Sequence, residues 1–89
     1  MPTAFVKLPA GMTTASGRKE VECEGATVRE VIERAVVTEP RMRPRIFRED
    51  GRVYAGIFLN GRNINALQGM DTPIAEGDML KVLPPLSGG

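Results

Sequence analysis

The group in this chain that is best suited to take part in a reaction is its last backbone carboxylate. The final six residues are Pro84, Pro85, Leu86, Ser87, Gly88 and Gly89. Prolines cannot donate to a sheet ladder, so the pair should end strand pairing and hold the chain in an extended path. Without β-carbons, Gly88 and Gly89 could thread a narrow channel. We predict that residues 84–89 form a flexible tail of up to about 20 Å that inserts into a partner's active site.

Side chains suited to catalysis are scarce. The sequence has no histidine, which removes the commonest general base and the commonest metal ligand. The single thiol, Cys23, falls on the inward face of a predicted strand between Glu22 and Glu24. Burial and neighbouring carboxylates raise the pKa of a thiol, so we predict a core residue and not a nucleophile. One cysteine also excludes an internal disulfide and a four-thiolate iron–sulfur cluster. No catalytic residue is predicted.

The other charged clusters are weaker candidates. Four arginines lie between residues 41 and 48: Arg41, Arg43, Arg45 and Arg48. With twelve basic and eleven acidic residues the net charge is only +1, which disfavours nucleic acid and favours docking of an acidic partner at this cluster. The acidic residues Glu49, Asp50, Asp71 and Asp78 lie in predicted turns at spacings that match no calcium loop. We therefore predict no bound metal or cofactor.

Size and composition favour one folded domain. The 89 residues are 42% hydrophobic and 26% charged, which is ordinary for a globular protein. No apolar run approaches the roughly 20 residues of a membrane span, and the N-terminal residues lack the layout of a signal peptide. We expect a cytoplasmic protein without contact to membrane or nucleic acid.

The first half of the chain predicts a hairpin and a helix. Residues 4–8 and 19–24 alternate apolar and polar side chains, as strands with one solvent-facing side do. Thr27 and Glu30 form a capping box that predicts the start of a helix. An apolar stripe at helical spacing follows, and Pro40 should end the helix. The segment from Pro40 to Arg48 is predicted as a loop with at most a short strand around residues 46 and 47.

The second half predicts further strands. Residues 53–59 alternate, Asn60-Gly61 is a strong tight-turn signal, and residues 62–65 should return as a short strand. A last strand is predicted from Met79 to Leu83. Strands grouped around one helix indicate an α+β domain, with a mixed sheet packed on that helix.

A partner surface is predicted on the sheet face opposite the helix. Alternation places large apolar side chains there, with Lys7 and Lys81 expected at their margin. Exposed apolar patches on small domains usually mark contact surfaces. The predicted partner surface consists of Phe5, Phe58, Met79, Lys81 and Leu83.

Together these features resemble the ubiquitin-like sulfur carriers of the MoaD/ThiS family. The resemblance rests on Leu83-Pro84-Pro85-Leu86-Ser87-Gly88-Gly89, Glu76-Gly77-Asp78, the stretch from Ile57 to Ile64, and Gly25-Ala26-Thr27-Val28. It spans nearly the whole chain and implies a β-grasp fold, here over residues 1–83. It also implies that the protein is a carrier subunit and not an enzyme.

The resemblance assigns the chemistry to the tail. An E1-like adenylyltransferase would use ATP and magnesium to adenylate the carboxylate of Gly89, and a sulfur donor would convert it to a thiocarboxylate. The acceptor would be a molybdopterin synthase large subunit or a cysteine-synthase-like enzyme, and the sequence does not separate these pathways. Two other functions stay open: a ubiquitin-like modifier joined through Gly89 to lysines, and a β-grasp binding module whose end is never activated.

Overall fold

The computed structural model describes residues 1–9 and 11–83. Five strands and two α-helices are present in these ranges, with short 3-10 turns between them. In chain order they are β1 (Thr3–Lys7), β2 (Glu20–Glu24), α1 (Val28–Thr38), α2 (Arg43–Ile46), β3 (Gly56–Leu59), β4 (Arg62–Asn63) and β5 (Met79–Leu83). The 3-10 turns are Pro40–Met42, Ile64–Ala66 and Gly69–Asp71.

The strands form one mixed sheet in the order β2-β1-β5-β3-β4. The first and last strands, β1 and β5, lie parallel at its centre, with Val6 opposite Leu80. The other neighbours are antiparallel: β1 with β2, β3 with β4, and β3 with β5. This mixed sheet with its helix confirms the predicted α+β class. It also places β5, the strand before residues 84–89, between two neighbouring strands.

Helix α1 begins where the capping box predicted. The Thr27 side chain accepts a hydrogen bond from the Glu30 N–H at 3.3 Å. The Glu30 carboxylate returns to the N–H of Ala26 at 2.9 Å, one residue before the N-cap. The chain enters the helix through Gly25, where an added β-carbon would lie 2.9 Å from both the backbone nitrogen and Cγ2 of Val31. Only glycine therefore fits this entry without a shift of the helix.

The core lies between α1 and one face of the sheet. All five apolar residues of the helix stripe are buried: Val28, Val31, Ile32, Ala35 and Val36. They pack against the inward residues of the strands, including Val6, Ile57 and Leu80, which are at most 1% exposed. Burial of this apolar surface is the main stabilising contribution to a domain of this size.

The segment after Pro40 differs from its prediction as a loop. It forms the 3-10 turn Pro40–Met42 and then α2 (Arg43–Ile46). Met42 and Ile46 are fully buried and close one end of the core. Isolated apolar residues four apart among arginines and prolines carry too little periodicity to indicate a helix, and tertiary packing decides this segment.

The strands on either side of Asn60-Gly61 are shorter than predicted. β3 starts at Gly56, and Val53 forms only an isolated bridge to Phe47. β4 covers two residues before the 3-10 turn at Ile64. The turn itself is confirmed, because Asn60 and Gly61 both have positive φ, at 50° and 87°, as a two-residue type I′ hairpin requires.

Candidate functional site

The sheet face opposite α1 carries the residues predicted as a partner surface. Pairing sets Phe5 of β1 opposite Met79 of β5, and Phe58 of β3 opposite Lys81 of β5. Leu83, the last described residue of β5, lies opposite Gly56. Because side chains alternate along a strand, this register places all the predicted residues on the outer face.

Four of the five predicted residues share one groove of about 320 Å³. It is lined by Lys7, Phe58, Gly61, Met79, Lys81 and Leu83, and we refer to it as the outer-face groove. Leu83 is 38% exposed, while Phe58 and Met79 are half-buried. A concave apolar floor with two ammonium groups beside it can take an apolar side chain together with an acidic one.

Phe5 and Lys81 are placed differently from the prediction. Phe5 neighbours Met79, but it lines a second groove, together with Ser16 and Arg18 of the loop after β1. Lys81 does not lie at the margin, because it stands between Lys7 and Phe58 in the centre of the outer face. The strand order explains the difference: alternation reveals which face a residue occupies, whereas only the pairing reveals its neighbours.

The turn at Asn60 and the residues before β5 hold the two main strands of the groove together. The Asn60 side-chain oxygen accepts from the Met79 N–H at 2.9 Å, and its amide donates to Asp78 Oδ1 at 2.9 Å. The second carboxylate oxygen of Asp78 accepts from the Ala75 N–H at 2.7 Å. The prediction that Asp78 acts in a turn is confirmed, and this network fixes the positions of Phe58 and Met79.

Two glycines in this region were not identified from the sequence as part of the site. Gly61 lines the outer-face groove with bare backbone. Gly56 has no side chain beside the Phe58 ring, and a β-carbon there would lie 3.4 Å from the ring atom Cε1. The position of Gly56 could have been predicted from the sequence, because alternation places it on the same strand face as Phe58.

Cys23 is buried on the helix side of the sheet, as predicted. Burial raises the pKa of its thiol; the charge of Arg34 lowers it, and Glu22 raises it further. A thiol with a raised pKa stays protonated near neutral pH and is a poor nucleophile. Within residues 1–9 and 11–83, no group of three potential ligand side chains is arranged to hold a metal ion.

The residues predicted to carry the chemistry lie outside the described residues. These are Gly89, predicted to carry the sulfur, and the inserting residues Pro84, Pro85, Leu86, Ser87 and Gly88. What the structure gives is the position of Leu83, which immediately precedes them. It ends the central strand at the border of the outer-face groove.

Among the helices of the described ranges, none has both the length and the apolar character needed to cross a membrane.

The family of the chain follows from comparison with known proteins. The ThiS family model matches residues 6–89. A protein of Archaeoglobus fulgidus named as a putative sulfur carrier protein is 30% identical, over 94% of this chain and 96% of its own. The chain therefore belongs to the ThiS family, as its resemblance to the MoaD/ThiS carriers predicted.

Solved structures agree on the fold. The small archaeal modifier protein 1 of Methanosarcina acetivorans has a TM-score of 0.81 and 31% identity, covering 100% of this chain and 98% of its own. A chain in the Amycolatopsis orientalis BexX/CysO complex has a TM-score of 0.76 and 27% identity, covering 97% and 99%. The protein is a ubiquitin-like β-grasp member of a family of sulfur carriers and modifiers.

Proposed function

We propose that this protein carries sulfur as a thiocarboxylate on Gly89. The observation that carries the proposal is the family match, which extends to residue 89 and so includes the terminal Gly88-Gly89. The side chains that most often act as nucleophile or general base offer no alternative to the terminal carboxylate. The thiol of Cys23 is buried, and the sequence has no histidine. A backbone carboxylate needs no side-chain catalyst in the carrier when the partner supplies the activation.

The chemistry follows from the stability of a carboxylate. Its oxygen is a poor leaving group, so the Gly89 carboxylate must first attack the α-phosphorus of ATP and release pyrophosphate. A hydrosulfide equivalent from a sulfur donor then displaces AMP from the acyl-adenylate and leaves a thiocarboxylate. We assign ATP and magnesium to an E1-like adenylyltransferase, and the carrier itself binds no cofactor. The acceptor is a synthase of the molybdopterin or cysteine type.

The outer-face groove is proposed as the docking surface for these partners. It borders the end of β5, so a protein that binds Phe58, Met79 and Leu83 is next to the start of residues 84–89. Buried apolar anchors contribute most of the free energy in interfaces of this kind, and charged groups at the rim steer association. Lys7 beside the apolar floor and Lys81 in the centre of the outer face provide positive charge for such steering.

Intact-mass spectrometry tests the proposal directly. Protein ending at Gly89 is incubated with the E1-like adenylyltransferase of the same organism, ATP, magnesium and a sulfur donor. We expect a mass gain equal to the exchange of one oxygen for sulfur. Because oxidation of a methionine gives almost the same gain, fragmentation must locate the sulfur on Gly89. No exchange with an adenylyltransferase that forms the acyl-adenylate on another carrier contradicts the proposal.

The matched control is the chain without Gly89. We expect it to fold like the full chain, because the buried residues of the described ranges end at Val82, but to gain no sulfur. A large fall in melting temperature on this deletion would mean that the terminal residues contribute to the fold, against the assignment of residues 84–89 as a projecting tail.

A second candidate function is conjugation to other proteins. It is favoured by the similarity to a small archaeal modifier protein. The same acyl-adenylate of Gly89 would then be passed to a lysine amine and form an isopeptide bond. Cell extract from a strain expressing tagged protein distinguishes the two functions. Trypsin cleaves after Lys81, the last basic residue, so remnants of residues 82–89 on target lysines after digestion support conjugation. The chain lacking Gly89 should leave no such remnants.

A further inference from the structure

Within the described residues, part of the arginine cluster has no carboxylate partner. Arg43, Arg45 and Arg48 are exposed, and within residues 1–9 and 11–83 no carboxylate lies within 4.0 Å of their guanidinium nitrogens. Their arginine neighbours are paired locally: Arg41 with Glu39 at 2.6 Å, and Arg52 with Asp50 at 3.8 Å. Three unpaired guanidinium groups within six residues repel each other, so this region attracts negative charge.

These arginines stand on a fixed support. Met42 and Ile46 are fully buried beneath them, and the guanidinium of Arg43 lies 5.2 Å from the centre of the Phe47 ring. Such a cation–π contact restrains the side chain while its N–H groups still point to solvent. The charge of Arg43 is therefore presented at a defined position, which lowers the entropy lost when a partner binds.

The arginines border a groove of about 420 Å³. Its lining includes Pro40, Pro44 and Phe47 as apolar surface, with Arg43 and Arg48 as cations and one carboxylate, that of Glu49. We refer to it as the arginine groove. An apolar floor with two guanidinium groups fits a protein segment that offers an apolar side chain flanked by Asp or Glu, because Arg pairs with carboxylates in bidentate geometry.

The arginine groove lies toward the end of the sheet at which β5 stops. Tyr54 connects the two regions: its N–H donates to the Ile46 carbonyl at 2.9 Å, and its hydroxyl donates to the Pro44 carbonyl. Two residues later the chain pairs Gly56 with Leu83. A partner that takes residues 84–89 from the end of β5 is therefore close to the arginine groove.

The distribution of charge supports the same orientation. At the far edge of the sheet, β2 directs Glu20, Glu22 and Glu24 to its outer face. The molecule is thus acidic along β2 and basic at α2, although its net charge is only +1. An uneven distribution of this kind orients an incoming partner before contact.

We infer that the arginine groove is a second docking site, which binds an acidic, apolar-anchored segment of the adenylyltransferase that activates the tail. This inference rests on the proposed function. RNA fits the site less well, because Glu49 and Asp50 stand among the arginines and would repel a phosphate backbone. Phe47, the one aromatic side chain in the groove lining, is already covered by Arg43.

Binding kinetics test this inference. The adenylyltransferase of the same organism is immobilised, and association of the full chain is measured without ATP at low and high salt. We expect Arg43→Glu/Arg48→Glu to slow association about tenfold at low salt. The effect should shrink near 1 M salt, where the Debye length is about 3 Å.

The matched control is Arg29→Glu/Arg34→Glu, which makes the same change in net charge on the solvent side of α1. It should associate nearly as fast as the unsubstituted chain. Circular dichroism must show that both variants fold. Because Arg43 stacks on Phe47, the single variant Arg48→Glu repeats the test without disturbing that contact and should show a smaller loss in the same direction.

The outcomes separate the inference from the proposed function. If the adenylyltransferase forms the acyl-adenylate but both double variants associate alike, the arginine groove is not a docking site and the carrier function stands. If the groove variant alone loses association but no acyl-adenylate forms, the docking site stands and the carrier function does not. Tight binding of a single-stranded RNA that the groove variant abolishes, with unchanged enzyme association, would overturn the assignment to a protein partner.

Discussion

The two faces of the sheet are built from the same strands but differ in exposure: α1 covers one face, and the other stays partly exposed to solvent. On the inner face, α1 covers residues that are mostly small or medium in size, such as Ala4, Val6, Val21, Ile57, Leu80 and Val82, and leaves them at most 8% exposed. On the outer face no helix of the described ranges packs, yet the side chains there are larger: Phe5, Phe58, Met79 and Leu83.

This contrast separates stability from recognition. Side chains on the inner face contribute by leaving water when the chain folds, whereas those on the outer face stay partly exposed and can leave water again when a partner binds. Alternation along one strand thus supplies a core residue and a contact residue in turn, as Leu80, Lys81 and Val82 illustrate. The predictions below test whether substitutions on the inner face change mainly stability and substitutions on the outer face mainly partner binding.

The largest difference is expected between two leucines of β5. Leu80→Ala removes a fully buried side chain and should lower the free energy of unfolding by about 2–5 kcal/mol. Leu83→Ala, at a position that is 38% exposed, should cost less than about 1.5 kcal/mol. Urea denaturation of both variants measures this contrast. Equal losses would show that the outer face contributes to stability as much as the core does.

Two glycines provide the next comparison. Gly25→Ala places a β-carbon 2.9 Å from Val31 backbone and side chain, so we expect a loss of about 1–3 kcal/mol. At Gly56 the nearest atom would be 3.4 Å away, and Gly56→Ala should change stability by at most about 0.5 kcal/mol. Thermal denaturation distinguishes the two. A stable Gly25→Ala protein would mean that the helix entry can shift without cost.

Phe58→Ala should affect recognition more than folding. If the outer-face groove docks the adenylyltransferase, loss of this ring should raise the KM for the carrier about tenfold, which corresponds to about 1.4 kcal/mol, with kcat less affected. The control is Val37→Ala on α1, where a side chain that is 77% exposed is removed from the helix side. An unchanged KM in the Phe58 variant would remove that ring from the proposed docking surface.

The smallest effect concerns Cys23 and pH. Its pKa is raised in the folded state, chiefly by burial, so the folded chain binds the thiol proton more tightly than the unfolded chain does. The stability from this group is therefore present below the unfolded pKa, about 8.5, and is lost as pH rises above it. Urea midpoints between about pH 8 and pH 10 should fall more steeply for the unsubstituted chain than for Cys23→Ala. Parallel slopes would contradict a buried thiol.

The local elements of the fold were largely predictable from sequence. The helix start at Thr27, the turn at Asn60-Gly61 and the last strand each depend on a few adjacent residues, so local sequence carries the information. The prediction of a loop was wrong between Pro40 and Ile46, because the structure there depends on the burial of Met42 and Ile46 against distant parts of the chain. The turn predicted at Glu49-Asp50-Gly51 is confirmed.

For the candidate site, sequence determined which residues face outward, and alternation alone was enough for that. It also supplied the Gly-Gly end, whose predicted chemistry requires no tertiary arrangement within the carrier. Tertiary structure decided which outward residues are neighbours: it put Lys81 between Lys7 and Phe58, separated Phe5 into another groove, and brought α2 toward the end of β5. The physical reason is that side-chain direction follows from the backbone of one strand, whereas proximity follows from strand order, which only long-range pairing sets.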